Sequence, residues 1–282
     1  MKKFSFVILN YNTYDETVDC IDYLKKLKNQ NQISIIVVDN NSPDGSGEKI
    51  EKYYENDNQV IVLFSKKNVG FSRGNNIGFQ YAKNNQYADF IILCNSDTEI
   101  LTTDFCDKVE KDYEKYNFAL LGPKIILSDK SLQGFIVNGI PTKKDIYKIL
   151  ISVNLNYIKS LFNINNENKP NNSGKKNSQI DSINNVVEGK TLSGCFYVFS
   201  REYIDIFDGL DDRTFMYGEE ILLAVIMNRY NLKSIYDPNI VINHLVGASV
   251  SNERGSMLKK KKFLAENVNK SMKFALKEIN KK

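Results

Sequence analysis

Phe4-Ser-Phe-Val-Ile-Leu-Asn-Tyr-Asn12 sets the pattern that decides the fold: an apolar run of strand length that breaks abruptly into polar residues. Ile33-Ser-Ile-Ile-Val-Val-Asp39 repeats it, running into Asn40-Asn-Ser42, and Phe90-Ile-Ile-Leu-Cys94 repeats it again before Asn95-Ser96-Asp97. Together with residues 60–64, these runs are rich in Val, Ile and Phe, as strands buried on both faces of a parallel sheet require. Helical periodicity lies between them. The first helix opens with Thr13-Tyr-Asp-Glu16, a capping-box pattern, and turns Val18, Ile21, Leu24 and Leu27 inward. Right-handed crossovers place the C-terminal ends of such strands on one sheet edge, where open α/β folds bind ligands. Polar clusters from four segments should therefore meet there, the fourth being the glycine-rich helix entry Asn68-Val-Gly-Phe-Ser-Arg-Gly-Asn-Asn-Ile-Gly78.

The chain of 282 residues is 42% hydrophobic, enough for one substantial core. Its net charge of +4 does not have the concentrated positive character of a nucleic-acid binder. The four cysteines (Cys20, Cys94, Cys106 and Cys195) show neither a paired motif nor metal-ligand spacing, which suits reduced thiols in a cytosol. Residues 4–9 are too short for a signal segment, and no run reaches transmembrane length. The expected location is cytoplasmic, with contact at the inner face of the cell membrane left open.

The second half is less regular. Residues 140–190 break the pattern, and residues 165–179 are nearly all polar, as in a mobile insertion. Residues 145–162 place Ile146, Ile149, Leu150, Val153, Tyr157 and Leu161 at helical spacing. Residues 191–200 look like a strand, and residues 219–230 like a helix. The pattern divides the chain into one domain over 1–255, with a regular half (1–121) and a less regular half (122–255), and a basic helix or tail over 256–282.

Several side chains have two readings from sequence alone. Asp39, at a strand end, either starts an Asx turn or accepts a hydrogen bond from a ligand. The glycines near Arg73 allow close backbone approach, Arg73 offers a fork for phosphate or sugar hydroxyls, and a helix beginning near Asn75 would aim N–H groups at an anion. Asp97 is an N-cap before a helix near Thr102 or an oxygen ligand for a divalent cation. His244, the single histidine, is structural or a metal ligand. Glu219 and Glu220 complement a helix dipole or do acid–base work.

The ordered set of residues 7–12, 37–42, 68–78 and 95–97 resembles family 2 glycosyltransferases, in particular their bacterial rhamnosyltransferase-like branch. The resemblance continues through Ser193-Gly-Cys-Phe, Phe215-Met-Tyr-Gly-Glu-Glu220 and His244-Leu-Val-Gly-Ala-Ser249. It implies a GT-A-type α/β fold, a mixed, mostly parallel sheet flanked by helices. It also implies inverting sugar transfer from a UDP- or dTDP-linked donor. On this resemblance Asn10, Tyr11, Asn12, Asp39, Gly70, Arg73, Asn75 and Ser96 bind the nucleotide. Asp97 and His244 hold Mn²⁺ or Mg²⁺, and Glu220 is the general base with Glu219 as its alternative. Ser193, Gly194 and Tyr217 face the sugar and acceptor. Asn95 departs from the family's Asp-x-Asp, and Glu220 stands where the family carries Asp.

The acceptor so implied is a glycan or a lipid-linked carrier in surface polysaccharide synthesis. Two rivals have distinct signatures. A sugar-nucleotide pyrophosphorylase would carry a glycine-rich loop after its first strand, where this chain has Asn10-Tyr11-Asn12. A non-catalytic scaffold of degenerate transferase fold need not keep Asp39, Asp97, Glu220 and His244. Finally, the stripe over 145–162, flanked by Lys143, Lys144, Lys148 and Lys159, either packs against the domain or a second subunit, or lies in an anionic membrane interface.

Overall fold

The structure is a computed structural model and describes residues 2–162, 182–245 and 257–281. The polar centre of the insertion expected at 165–179, and residues 246–251 of the late histidine motif, lie outside the described residues.

Strands β1 (Phe4–Asn10), β2 (Ile33–Asp39), β3 (Val60–Phe64) and β4 (Phe90–Asn95) pair in parallel, as their apolar runs predict. Side chains alternate between the two faces. Phe6, Ile8, Ile35 and Val37 enter one core, while Val7, Ile36 and Val38 enter the other. Helices α1 (Tyr14–Leu24), α2 (Ser46–Tyr53) and α3 (Phe71–Asn84) make the crossovers. The register sets Asn10 opposite Asp39, and Leu9 opposite Asn95, so the polar strand ends share one edge.

Beyond β4 the sheet becomes mixed. Strand β5 (Thr98–Ile100) and helix α4 (Phe105–Tyr116) precede β6 (Leu120–Leu127), and later come β7 (Val187–Glu188), β8 (Phe196–Phe199) and β9 (Ser234–His244). The sheet order is β3-β2-β1-β4-β8-β6-β9-β5, with β7 paired to β9. Strand β8 runs antiparallel between β4 and β6. Strand β9 runs parallel to β6 and antiparallel to β5, and its register sets His244 opposite Thr98. That pairing carries the histidine, distant in sequence, to the polar turn after β4.

Helix α6 (Arg201–Ile204) follows β8, and α5 (Lys143–Leu161), α7 (Glu219–Arg229) and α8 (Met257–Ile279) form a separate apolar cluster. Ile146, Ile221, Leu222, Val268, Met272 and Ala275 fill it. The basic C-terminal segment is thus a helix packed on the body. Buried Glu278 fastens it, accepting hydrogen bonds from Arg213 Nη2 at 2.9 Å, from Lys281 Nζ at 2.7 Å and from Arg229 Nη1.

Three local expectations need correction. The first helix has no capping box: Thr13 Oγ1 donates to Asn10 Oδ1 at 3.0 Å, because a buried strand-end amide offers it an acceptor. The glycine-rich helix begins at Phe71, not near Asn75, since Gly70 at φ +84° turns the chain into it. The strand expected over 191–200 is confined to Phe196–Phe199.

Candidate active site

A cavity of about 410 Å³ opens at the predicted sheet edge. Its floor takes Leu9, Tyr11, Asn40, Asn95 and Ser96 from the strand ends, and Gly70 and Phe71 from the entry to α3. Its far wall takes Ser193, Gly194, Tyr217, Glu219, Glu220 and His244 from the second half. Polar groups from six separated segments and an apolar surface meet in one concave place, the general form of a small-molecule site.

The Asn10–Asp39 pair supports the floor from beneath. Asn10 is fully buried; its Nδ2 donates to Asp39 Oδ1 at 2.7 Å and to Ser46 Oγ at 2.9 Å, while its Oδ1 accepts from Thr13 and Thr17. Asp39 also accepts from Ser42 Oγ at 2.6 Å and from Ser42 N at 3.0 Å, closing an Asx turn. A Cβ on Gly47 would lie 2.5 Å from Asp39 Cγ, so glycine there leaves space for the carboxylate. Asn40 is the strand-end residue whose side chain works at the cavity: its Oδ1 accepts from Val69 N at 2.9 Å and its Nδ2 donates to Asn68 Oδ1 at 3.1 Å. That contact ties the end of β2 to the turn before α3.

Asp97 and His244 meet beside this floor, with His244 Nε2 3.4 Å from Asp97 Oδ1. His244 Nδ1 lies 3.1 Å from Gln133 Oε1, and Gln133 Nε2 donates to Ser193 Oγ at 2.7 Å. With the amide NH₂ on the serine, its carbonyl faces the ring and calls for N–H at Nδ1, which leaves Nε2 aimed at Asp97. Burial opposes charge on the ring, yet the hydrogen bond to Asp97 and the proximity of Cys195 drive its pKa up to about 10. Asp97 and His244 would hold a cation only with that proton released. Among the described residues no cluster of three or more acidic, His or Cys side chains could hold a metal. One carboxylate and one imidazole fit a cation that draws its remaining ligands from a diphosphate.

Glu219 and Glu220 begin α7, after Gly218 in the left-handed region. Both carboxyls are pushed up, for different reasons. Burial and then the neighbouring charge of Glu220 carry Glu219 well above the usual carboxylate range, and its Oε2 is buried without a hydrogen-bond partner. Burial also raises Glu220, but peptide groups at Glu220 itself, Gly194 and Gly218 pull the other way. A Cβ on Gly194 would stand 3.3 Å from Glu220 Oε1, so this glycine gives the carboxylate room. A second cavity of about 350 Å³ also reaches Glu220 and runs along Ala224 and Asn228, between Ile140, Gly189 and Lys190.

The loop before α7 is anchored on both sides. Phe215 O accepts from Phe71 N at 2.6 Å, and Tyr217 O accepts from Ser271 Oγ of α8 at 2.7 Å. Phe263, also from α8, lines the cavity and meets Phe215 and Tyr217 edge-on.

The sequence model described as Glycosyl transferase family 2 matches residues 5–151, more than half of the chain. The chain belongs to glycosyl transferase family 2. A curated relative of this family 2 chain, Glycosyltransferase GlyG of Streptococcus pneumoniae serotype 4 (strain ATCC BAA-334 / TIGR4), is 36% identical over 93 residues. That match covers 33% of this chain and 29% of the relative, so the chain spans under a third of it. Among solved structures, S. aureus TarS 1-349 in complex with UDP matches with a TM-score of 0.54 at 15% identity, covering 96% of this chain and 72% of that one. GalNAc-T7 with UDP, GalNAc and Mn²⁺ matches with a TM-score of 0.61 at 14% identity, covering 94% and 48%. These likenesses show the fold, which is GT-A.

In this family 2 chain the structure brings Tyr11, Gly70, Ser96, Ser193, Gly194, Tyr217, Glu219, Glu220 and His244 to one cavity, with Asp97 beside His244. It does not bring Arg73 there: Arg73 Nε donates to Asp212 O at 2.8 Å on the exposed side of α3. Asn75 lies inside that helix, with its Nδ2 on Phe71 O. Asn10 and Asp39 are buried and bonded to each other and do not line the cavity, and Asn12 N donates to Ser42 Oγ at 3.1 Å. Sequence reading missed Gln133 and Phe263, and placed Asn40 and Asn68 in the converging clusters without giving either a role of its own. Only the asparagines carried a signal, in their place at a strand end and before a glycine.

Proposed function

We propose that this protein transfers a sugar, with inversion, from a nucleotide diphosphate donor to a hydroxyl acceptor. The observation that carries this reading is the paired carboxyl groups of Glu219 and Glu220, which share one cavity with the polar strand ends and with His244, itself 3.4 Å from Asp97. Fold likeness to proteins solved with UDP, and with UDP, GalNAc and Mn²⁺, agrees with it.

The nucleotide lies over the strand ends, its base on the face of Tyr11 near Asn40 and Asp39, its ribose near Ser96. Asp97 and His244 hold Mn²⁺ or Mg²⁺; when bound, the ion offsets charge developing on the departing diphosphate. Glu220, eased by peptide groups at Gly194 and Gly218, takes the proton from the acceptor hydroxyl as that oxygen attacks the anomeric carbon from the opposite face. Glu219 keeps its proton and adds no second negative charge beside the attacking oxygen. Gln133 holds the His244 ring in one orientation. Ser193, Gly194 and Tyr217 border the place where sugar and acceptor meet, and the second cavity reaching Glu220 extends it. The acceptor is a surface glycan built on a lipid carrier, at the inner face of the membrane. Residues 1–255 form the catalytic unit in this reading.

The test is calorimetric titration with UDP and dTDP, with and without Mn²⁺, followed by donor hydrolysis with a panel of nucleotide sugars. The proposal expects nucleotide binding that Mn²⁺ strengthens and slow hydrolysis of one donor. No binding to either nucleotide would leave a scaffold as the better reading.

A further inference from the structure

Helix α5 is apolar on two faces, and only one of them is used. Ile146, Ile149, Leu150 and Val153 pack into the cluster with α7 and α8. Tyr147, Ile151, Leu155, Ile158 and Phe162 face outward with exposures of 45–70%. At 3.6 residues per turn those five fall within an arc of about 80°. Lys148 and Lys159 stand at the outer margin of that arc, Lys144 lies within it, and Lys143 sits in the first turn. Asp145, the one acid of the helix, accepts from Thr142 in the capping box and lies 3.7 Å from Lys148.

Charge is concentrated here. Helix α5 carries four lysines and one acid, and α8 carries seven lysines and two acids. The pair is therefore +8 in a chain whose net charge is +4, leaving the remainder at −4. Among the described residues no helix is long and apolar enough to cross a membrane.

We propose that the outward face of α5 is a docking surface for an anionic lipid bilayer. The apolar arc enters the headgroup boundary while lysines at its margin reach lipid phosphates, the arrangement of an in-plane interfacial helix. A second copy of the chain fits less well. The five side chains offer on the order of 500 Å², short of the roughly 800 Å² per partner of a stable interface. Bilayer docking also has a use: α5 packs on α8, and Phe263 of α8 lines the cavity, so a lipid-linked acceptor arrives one helix away from the site. For that use, though not for docking itself, the inference rests on the proposed transfer to a lipid carrier.

Co-sedimentation of the full chain with phosphatidylcholine vesicles, with and without phosphatidylglycerol, tests it across a salt series. The expected result is binding that requires phosphatidylglycerol and weakens with salt. Charge reversal, Lys144→Glu with Lys148→Glu, weakens it by about 30-fold or more. Ile151→Ser with Leu155→Ser weakens it too, while UDP affinity and melting temperature stay unchanged because both residues are exposed. Absence of binding to anionic vesicles at low salt overturns the inference. So does binding that neither double variant changes, or a dimer in sedimentation velocity that Ile151→Ser with Leu155→Ser dissolves without altering vesicle binding. Failure of UDP titration defeats the transferase reading and leaves vesicle binding to be judged alone.

Discussion

Replacing Glu278 with alanine should loosen the C-terminal helix. The side chain is 2% exposed and accepts from three cations. Removing one member of a buried ion network costs about 3–5 kcal/mol when the remaining charge is stranded. Here the stranding is incomplete. Arg213 Nε keeps Asp211 Oδ1 at 2.8 Å, Arg229 is 27% exposed, and Lys281 is mostly in solvent. The expected loss at pH 7 is therefore nearer about 2–3 kcal/mol, measured by urea unfolding followed by circular dichroism. The pH dependence is a second check. Burial raises the Glu278 pKa, but hydrogen bonds from Lys281 and Arg213 outweigh it and leave it below the ordinary glutamate value. A depressed folded pKa means stabilisation that is complete above the unfolded pKa and lost as pH falls through the folded one. The gap between wild type and Glu278→Ala should thus narrow as pH falls through the folded pKa, below the ordinary glutamate value. A difference under about 1 kcal/mol at pH 7, or one that persists undiminished at pH 3, would refute the reasoning.

Three further outcomes are expected. Glu220→Gln keeps UDP affinity and lowers turnover by about 10²-fold or more, and wild-type turnover rises with pH through a pKa above the ordinary carboxylate value; the same loss in Glu219→Gln alone would transfer the base to its neighbour. Asp97→Ala removes the Mn²⁺-dependent part of UDP affinity in calorimetry and leaves the circular dichroism spectrum intact; unchanged affinity in Mn²⁺ would sink the metal pair. Gly70→Ala costs about 2 kcal/mol or more, because φ is +84° and a Cβ would lie 2.4 Å from Phe215 O; a thermal melt within 1 °C of wild type would contradict that.

How far the molecule was legible in its sequence follows from the range of the forces involved. The parallel half was readable because an apolar strand and its polar end are adjacent residues, so β1, β2 and β4 announce both core and crevice. Strand β6 went unread: Gly122 and Pro123 interrupt its apolar run, and its place comes from pairing with β8 and β9. Arg73 failed for a reason of phase. The turn at Gly70 starts the helix early and points Ser72 at Thr214, 2.7 Å away, which sends the next side chain outward to Asp212. The C-terminal segment reads as a basic helix or tail, and what its sequence leaves open is where Ala265, Val268, Met272 and Ala275 pack.

Gln133 marks the limit most clearly. No motif surrounds it, and its role exists only because the β5–β9 register carries His244 to Asp97 while the start of β8 brings up Ser193. The choice between Glu219 and Glu220 has the same origin. In sequence they are two equal acids in a first turn, separable only by resemblance. In the fold one is buried with an unpartnered oxygen, and the other is eased by peptide groups at Gly194 and Gly218. Two carboxyls buried side by side do not both ionise freely at one pH, and the peptide groups at Gly194 and Gly218 that ease a charge on Glu220, more than position in a motif, favour it as the base.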